Sequence, residues 1–152
     1  MKALEKLTIY TDGASRGNPG ISASGYEIYE NGKLVARDVF YNGIKTNNYA
    51  EYIAVIKALE WCTRNKEPNS TSVELFSDST LITGQLGRGY KVKSENIKRL
   101  HLRASRLASK FAEVKFNNVP RENAGIRRVD RELNRFLDVV EKEGSQDNKQ
   151  KL

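Results

Sequence analysis

The sequence predicts an α/β fold: a five-stranded mixed sheet, an antiparallel meander plus two parallel strands, flanked by helices. Three observations carry this. The chain opens with three β-rich runs joined by short turns. The hydrophobic period then lengthens to that of helices, and helical segments alternate with two further strands. No repeat, linker or composition break divides the 152 residues, so residues 1–144 read as one domain.

Residues 7–10 are β-rich and end at Thr11-Asp12-Gly13, a turn signal. Residues 23–29 follow a glycine-rich loop and read as the second strand. Asn31-Gly32 predicts a tight hairpin, because both central residues of a type I′ turn need positive φ. Residues 34–41 return as the third strand, with Asn42-Gly43 as its expected end. Residues 46–64 switch to a helical period with a broad apolar face, capped by Thr46 or Asn47. Residues 72–77 form a fourth strand closed by Asp78. A short helix over 79–86 is stopped by Gly87 and Gly89, and a longer one over 94–111 starts at Ser94. Residues 114–119 are the fifth strand, ended by Pro120, and Gly125 breaks the following loop. The last helix is predicted over 126–143 with Gly144 as its stop, leaving 145–152 as a polar, disordered tail.

Composition narrows the function. The single cysteine, Cys62, cannot form an internal disulfide, and no Cys/His cluster has zinc spacing. The charged N-terminus has no leader-like apolar run, and no segment approaches the ~18–20 apolar residues of a membrane span. A soluble, cytoplasmic monomer without membrane contact is expected. The formal charge is +7, and all of the excess sits in residues 79–110, with eight Lys and Arg against Glu95 alone. A basic segment on a balanced body points to a polyanionic partner.

Four acids stand in unusual places. Asp12 follows the first strand and Asp78 the fourth. If those strands lie side by side, both carboxylates project from one sheet edge, where open α/β sheets bind ligands. Glu51, in the first turn of the first helix, and Asp130, in the last helix, both border apolar stripes. Alone, each has an ordinary reading as a turn, cap, first-turn or ion-pair residue. Four converging carboxylates would repel each other, and hard divalent cations resolve that repulsion.

The residues carrying these acids resemble motifs of type 1 ribonuclease H. Thr11-Asp12-Gly13-Ala14-Ser15-Arg16-Gly17-Asn18-Pro19-Gly20 is similar to the family's opening motif. Thr46-Asn47-Asn48-Tyr49-Ala50-Glu51-Tyr52 and Ser77-Asp78-Ser79 resemble the second and third. Asp130 with Asn134 resembles the helix supplying the fourth acid. Tyr90-Lys91-Val92-Lys93 and Val119-Pro120-Arg121-Glu122 also match, so the similarity runs from about Lys6 to Val140. The resemblance implies a ribonuclease H-like fold and an endonuclease cutting the RNA strand of RNA–DNA hybrids. It implies two Mg²⁺ ions, with Mn²⁺ as a substitute, held by Asp12, Glu51, Asp78 and Asp130, and products with 5′-phosphate and 3′-hydroxyl ends. It further implies that Asn18, Asn47, Ser79 and Gln85 read the minor groove and that Thr46 holds a DNA-strand phosphate. Backbone amides of the glycine-rich loop would help position the chain.

The chain departs from that pattern in three ways. The loop over 121–125 lacks the histidine many members carry there. The only histidine, His101, reads as a surface helix residue. The interval from Pro120 to Asp130 is longer than usual and includes Ala124-Gly125. Residues 87–93 are too short for the basic handle of long members, so Lys91 and Lys93, with Lys98 and Arg99, form a reduced basic surface. Two alternatives accompany the main reading: a relaxed nuclease that also cuts double-stranded RNA, and a binding module that holds nucleic acid without cutting. Tyr90, beside Lys91, is the aromatic residue best placed in sequence to touch nucleic acid.

Overall fold

A computed structural model describes residues 4–150, the last six of them by backbone alone. Its elements are β1 (Glu5–Gly17), β2 (Gly20–Glu30), β3 (Lys33–Lys45), α1 (Asn47–Asn65), β4 (Thr71–Ser77), α2 (Thr80–Gly87), α3 (Glu95–Ala108), β5 (Glu113–Asn118) and α4 (Ala124–Gln150). The strands form one five-stranded sheet in the order β3-β2-β1-β4-β5. β1–β2 and β2–β3 are antiparallel, while β1–β4 and β4–β5 are parallel. The predicted meander plus two parallel strands is therefore the observed sheet, with β1 as the joint between its halves.

Strand alternation sends successive side chains of β1 to opposite faces. Leu7 and Ile9 join α1, α3 and β4 in the larger core, with Tyr52, Ile56, Leu59, Val73 and Leu75 fully buried. Tyr10 and Ala14 border a smaller core on the other face, where Val129, Leu133 and Leu137 of α4 pack on Ala23. Burying a large aliphatic side chain contributes about 1.5–3 kcal/mol, so both layers hold their helices firmly on the sheet.

Four local expectations change. β1 does not end at Thr11-Asp12-Gly13. It continues to Gly17, because Gly20–Gly25 of β2 offer it a partner edge, with Asp12 opposite Gly25 and Gly17 opposite Gly20. Tertiary pairing overrides the local turn signal, and the reversal moves to Gly17, at φ +98°. The stretch expected as a glycine-rich loop of free amides is thus a paired strand. β3 likewise passes Asn42-Gly43 and runs to Lys45. The register slips between Ser22 and Ala23, and Gly43 takes φ +76°, so the signal marks a β-bulge rather than a strand end. The Asn31-Gly32 hairpin forms as expected, with φ of 51° and 76°.

α4 begins two residues earlier than predicted. The Asn123 side chain accepts hydrogen bonds from the Gly125 and Ile126 N–H groups at 2.9 and 3.2 Å and caps the helix. Gly125 lies inside the first turn, and the position needs glycine because a Cβ there would sit 2.2 Å from the Tyr10 ring. α4 also continues through Gly144 to Gln150. The tail expected over 145–152 falls on residues outside those described with side chains. Among the described residues, no helix is long and apolar enough to cross a membrane.

Candidate active site

The parallel β1–β4 pair registers Tyr10 with Phe76, and Asp12 and Asp78 each lie two residues further on. That register brings two acids, distant in sequence, to one edge. Asp12 remains inside β1, while Asp78 sits in the turn between β4 and α2. Glu51 arrives from the other direction. Gly13 lets the backbone of α1 close onto β1, since a Cβ at Gly13 would lie 2.4–2.7 Å from backbone atoms of Ala50 and Glu51. The Ser24 hydroxyl fastens the same approach by donating to the Ala50 carbonyl at 2.5 Å. Thr46 caps α1, accepting from the Tyr49 N–H at 3.2 Å, so Glu51 falls in the second turn rather than the first.

Asp12, Glu51 and Asp78 each offer a carboxylate oxygen within 4.8 Å of the others. Asp12 is 5 % exposed and Glu51 9 %. Glu51 Oε2 is buried with no hydrogen-bond partner. Burial pushes the Asp12 carboxyl well above the usual carboxylate range, and the charges of Asp78 and Asp130 push it further the same way. Glu51 is raised by burial and then by Asp12 and Asp78. Asp78 is raised by burial, with Arg121 acting against the rise. Asp130 is exposed and stands outside the three-acid group, yet it lines the same cleft.

The cleft has a volume of about 440 Å³ and is floored by these acids, with Asn47, Ser79 and Arg121 on its walls. An orphaned carboxylate oxygen inside an all-oxygen donor set fits a hard divalent cation, which favours carboxylate ligands. Arg121 is the residue that sequence reasoning passed over. It stood inside the Val119-Pro120-Arg121-Glu122 match without a role, directly after the proline that ends β5.

The remaining predicted contacts divide. Asn47 and Asn18 lock the β1–β2 hairpin to the start of α1: the Asn47 N–H donates to Asn18 Oδ1 at 3.1 Å, and the Ser15 N–H donates to Asn47 Oδ1 at 2.9 Å. Ser79 caps α2, accepting from the Ile82 N–H at 3.1 Å, and borders the cleft. Thr46 lies in a separate depression of about 490 Å³, beside Ser94, Asn96 and Arg99 at the start of α3. Lys91 and Lys93 are exposed on the connection between α2 and α3, away from the acids. Gln85 does not reach the cleft. Its side chain is 6 % exposed, accepts from the Tyr52 hydroxyl at 2.5 Å and donates to the Lys91 carbonyl at 3.5 Å, so it is a structural bridge. His101 is not a surface residue either. It is half-buried, with Nε2 3.1 Å from the Gln85 carbonyl and its ring edge-on to Tyr52.

Comparison with known proteins agrees with this geometry. The RNase H family model matches residues 4–130. Ribonuclease HI of Halobacterium salinarum is 37% identical over 134 residues, covering 88% of this chain and 65% of that protein. The bifunctional protein Rv2228c of Mycobacterium tuberculosis is 32% identical over 118 residues, covering 76% of this chain and 32% of that protein. The chain thus spans less than two thirds of the length of these curated relatives. The crystal structure of RNase H1 from Halobacterium salinarum superposes with a TM-score of 0.79 at 35% identity, covering 88% of this chain and 98% of that one. LC11-RNase H1, solved in complex with an RNA/DNA hybrid, gives a TM-score of 0.76 at 34% identity, covering 85% and 94%. A family match over residues 4–130, superposition on RNase H1 structures over most of the chain and a converging acid cluster lead to one statement: this chain belongs to the RNase H family.

Proposed function

We propose that the chain is an endonuclease that hydrolyses the RNA strand of RNA–DNA hybrids, with residues 1–144 as its catalytic unit. The observation that carries this is the group of Asp12, Glu51 and Asp78, converging with an unpartnered buried carboxylate oxygen. The hybrid-bound neighbour supports the choice of substrate. Asp12, Glu51 and Asp78 would hold two Mg²⁺ ions, with Mn²⁺ as a substitute, and Asp130 would complete the set from α4. When bound, such ions activate water and stabilise the leaving oxygen of a phosphodiester, which gives 5′-phosphate and 3′-hydroxyl ends.

The chain's own residues do the rest. The β1–β4 register and Gly13 hold the acids in place before any ligand arrives, so little reorganisation is needed. Arg121 brings a positive charge to the cleft wall, suited to a phosphate oxygen. The Asn47 amide, oriented through its Oδ1 by the Ser15 N–H, and the Ser79 hydroxyl border the space where a ribose 2′-hydroxyl would distinguish RNA from DNA. Asn18 positions Asn47. Thr46, with Arg99 nearby, faces the partner strand, and Lys91 and Lys93 add sequence-independent attraction.

The test is a gel assay with labelled RNA–DNA hybrid, double-stranded RNA, double-stranded DNA and single-stranded RNA, each with Mg²⁺, Mn²⁺ or EDTA. Metal-dependent cutting of the hybrid's RNA strand is expected. Comparable cutting of double-stranded RNA would replace the reading with a relaxed nuclease, and a gel shift without cutting under any metal would replace it with a binding module.

A further inference from the structure

A second groove, of about 380 Å³, opens between α2 and the end of β5, lined by Thr80, Arg88, Tyr90, Phe116, Asn117 and Asn118. It adjoins the acid cleft at two points. Thr80 follows Ser79, which borders that cleft. Asn118 pairs with Ser77, so the groove begins one strand spacing, about 4.8 Å, from the residue that precedes Asp78. The groove lies on the β5 side of the acids. The depression holding Thr46 lies on the β3 side, with Ile44 in its wall. The two depressions thus flank the acid cleft on opposite sides, and a strand whose phosphate sits over the acids can continue into the adjoining groove beside Tyr90.

The groove is built rather than loose. Tyr90 is 51 % exposed, yet its position is set. Its N–H donates to the Gly84 carbonyl at 3.0 Å, as does that of Arg88, and Gly89 turns the chain at φ +71°. Its ring rests on α2 at Gly84, where a Cβ would come within 2.1 Å of the ring. The Arg88 guanidinium stands 5.9 Å from the ring centroid, donates from Nη1 to the Tyr90 hydroxyl at 3.5 Å and forms no ion pair among the described residues. A held aromatic ring, a cation with no acidic partner among the described residues and two amide side chains suit a nucleotide, with its base against the ring and its phosphate near the guanidinium. A base inside a duplex has its faces stacked and its edges paired, so it cannot use such a groove; an unpaired base can.

We infer that this groove binds an unpaired nucleotide of the RNA strand flanking the hybrid, so that the protein favours hybrids bearing a single-stranded RNA overhang over blunt ones. This rests on the proposed hybrid endonuclease reading.

The test measures binding of fluorescent hybrids to the Asp12→Asn protein: blunt, with an RNA overhang at either end, with a DNA overhang, and with the same RNA overhang made abasic. One RNA overhang is expected to bind about tenfold more tightly than the blunt hybrid, the scale of one stacked base. The abasic overhang should lose most of that advantage, which needs no protein variant. Tyr90→Ala and Arg88→Ala should bring the overhang-to-blunt ratio near one, and Tyr90→Phe should keep it, which separates lost stacking from lost folding. Equal binding of blunt and overhang hybrids, an equal effect of abasic and normal overhangs, or an advantage confined to the DNA overhang overturns the inference. In those cases cutting of the blunt hybrid by the unsubstituted protein leaves the endonuclease reading standing, whereas failure to bind any hybrid overturns both.

Discussion

Asp12 and Glu27 are buried carboxylates on the same face of the sheet, since Glu27 pairs with Tyr10 and Asp12 lies two residues further along β1. Their surroundings are opposite. Glu27 is 1 % exposed and fully partnered: Arg128 Nε donates to it at 2.9 Å, Arg37 binds its other oxygen, and the Tyr29 hydroxyl donates at 3.1 Å. Burial alone would raise the Glu27 carboxyl, but the hydrogen bonds from Arg37 and Arg128 outweigh it and hold the group below its ordinary value. Asp12 receives no hydrogen bond from an arginine, and burial, then the charges of Asp78 and Asp130, raise it. Glu27 carries its counter-ions within the fold and tethers α4, through Arg128, to the sheet. Asp12, Glu51 and Asp78 leave their charge for something outside the chain to balance. The contrast separates an acid that builds the structure from acids that destabilise it for the sake of a site.

The largest expected effect lies in the cluster. Asp12→Asn or Asp78→Asn should lower hybrid cleavage by at least about a thousandfold while the fold persists, because each removes a charge from a shared cation site. Asp130→Asn, at the exposed rim, should cost about ten- to a hundredfold. Initial rates on labelled hybrid decide this, and wild-type rates for Asp78→Asn would refute the two-metal assignment.

The next effects concern stability and should have opposite signs in the two places. Glu27→Gln should destabilise by about 2 kcal/mol, having removed charge-assisted bonds from two arginines. Asp12→Asn should stabilise the metal-free protein by about 1 kcal/mol, having relieved burial and repulsion. Urea midpoints in EDTA measure both. Added Mg²⁺ should then raise the melting temperature of the wild type and not that of Asp12→Asn, since only a ligand that binds the native state shifts it.

The smallest effects are the pH profiles, and they too should run oppositely. Glu27 titrates lower in the folded chain, so its contribution is present above about pH 4.3 and lost as pH falls through its folded value. The gap between wild type and Glu27→Gln should close in acid. Asp12 titrates higher when folded, so in EDTA the wild type should lose stability relative to Asp12→Asn as pH rises from about 4 through that raised value. Parallel profiles for both variants would erase the distinction between the two acids.

Much of this molecule was legible in its sequence, and the exceptions share a cause. The mixed sheet, a meander plus two parallel strands, followed from three short-linked strands and two helix-separated ones, and the four acids stood out because their positions were odd for packing and matched a family. Local signals misled where a distant segment supplied a partner. Thr11-Asp12-Gly13 looked like a turn until β2 paired with it, and Asn42-Gly43 looked like a strand end until the sheet absorbed it as a bulge. Gln85 and His101 looked available because nothing local announces that Tyr52, 33 residues away from Gln85, claims the amide.

By itself, then, the sequence determined the element types, the mixed sheet, the family and the identity of the acids, because these depend on periodicity, turn chemistry and motifs read within a few residues. Tertiary structure alone decided that Asp12, Glu51 and Asp78 meet within 4.8 Å, that Glu27 is neutralised by an arginine 101 residues away, and that Arg121 joins the cleft. A carboxylate's role depends on which charges surround it in space, and strand register and helix docking set those neighbours through contacts that span most of the chain.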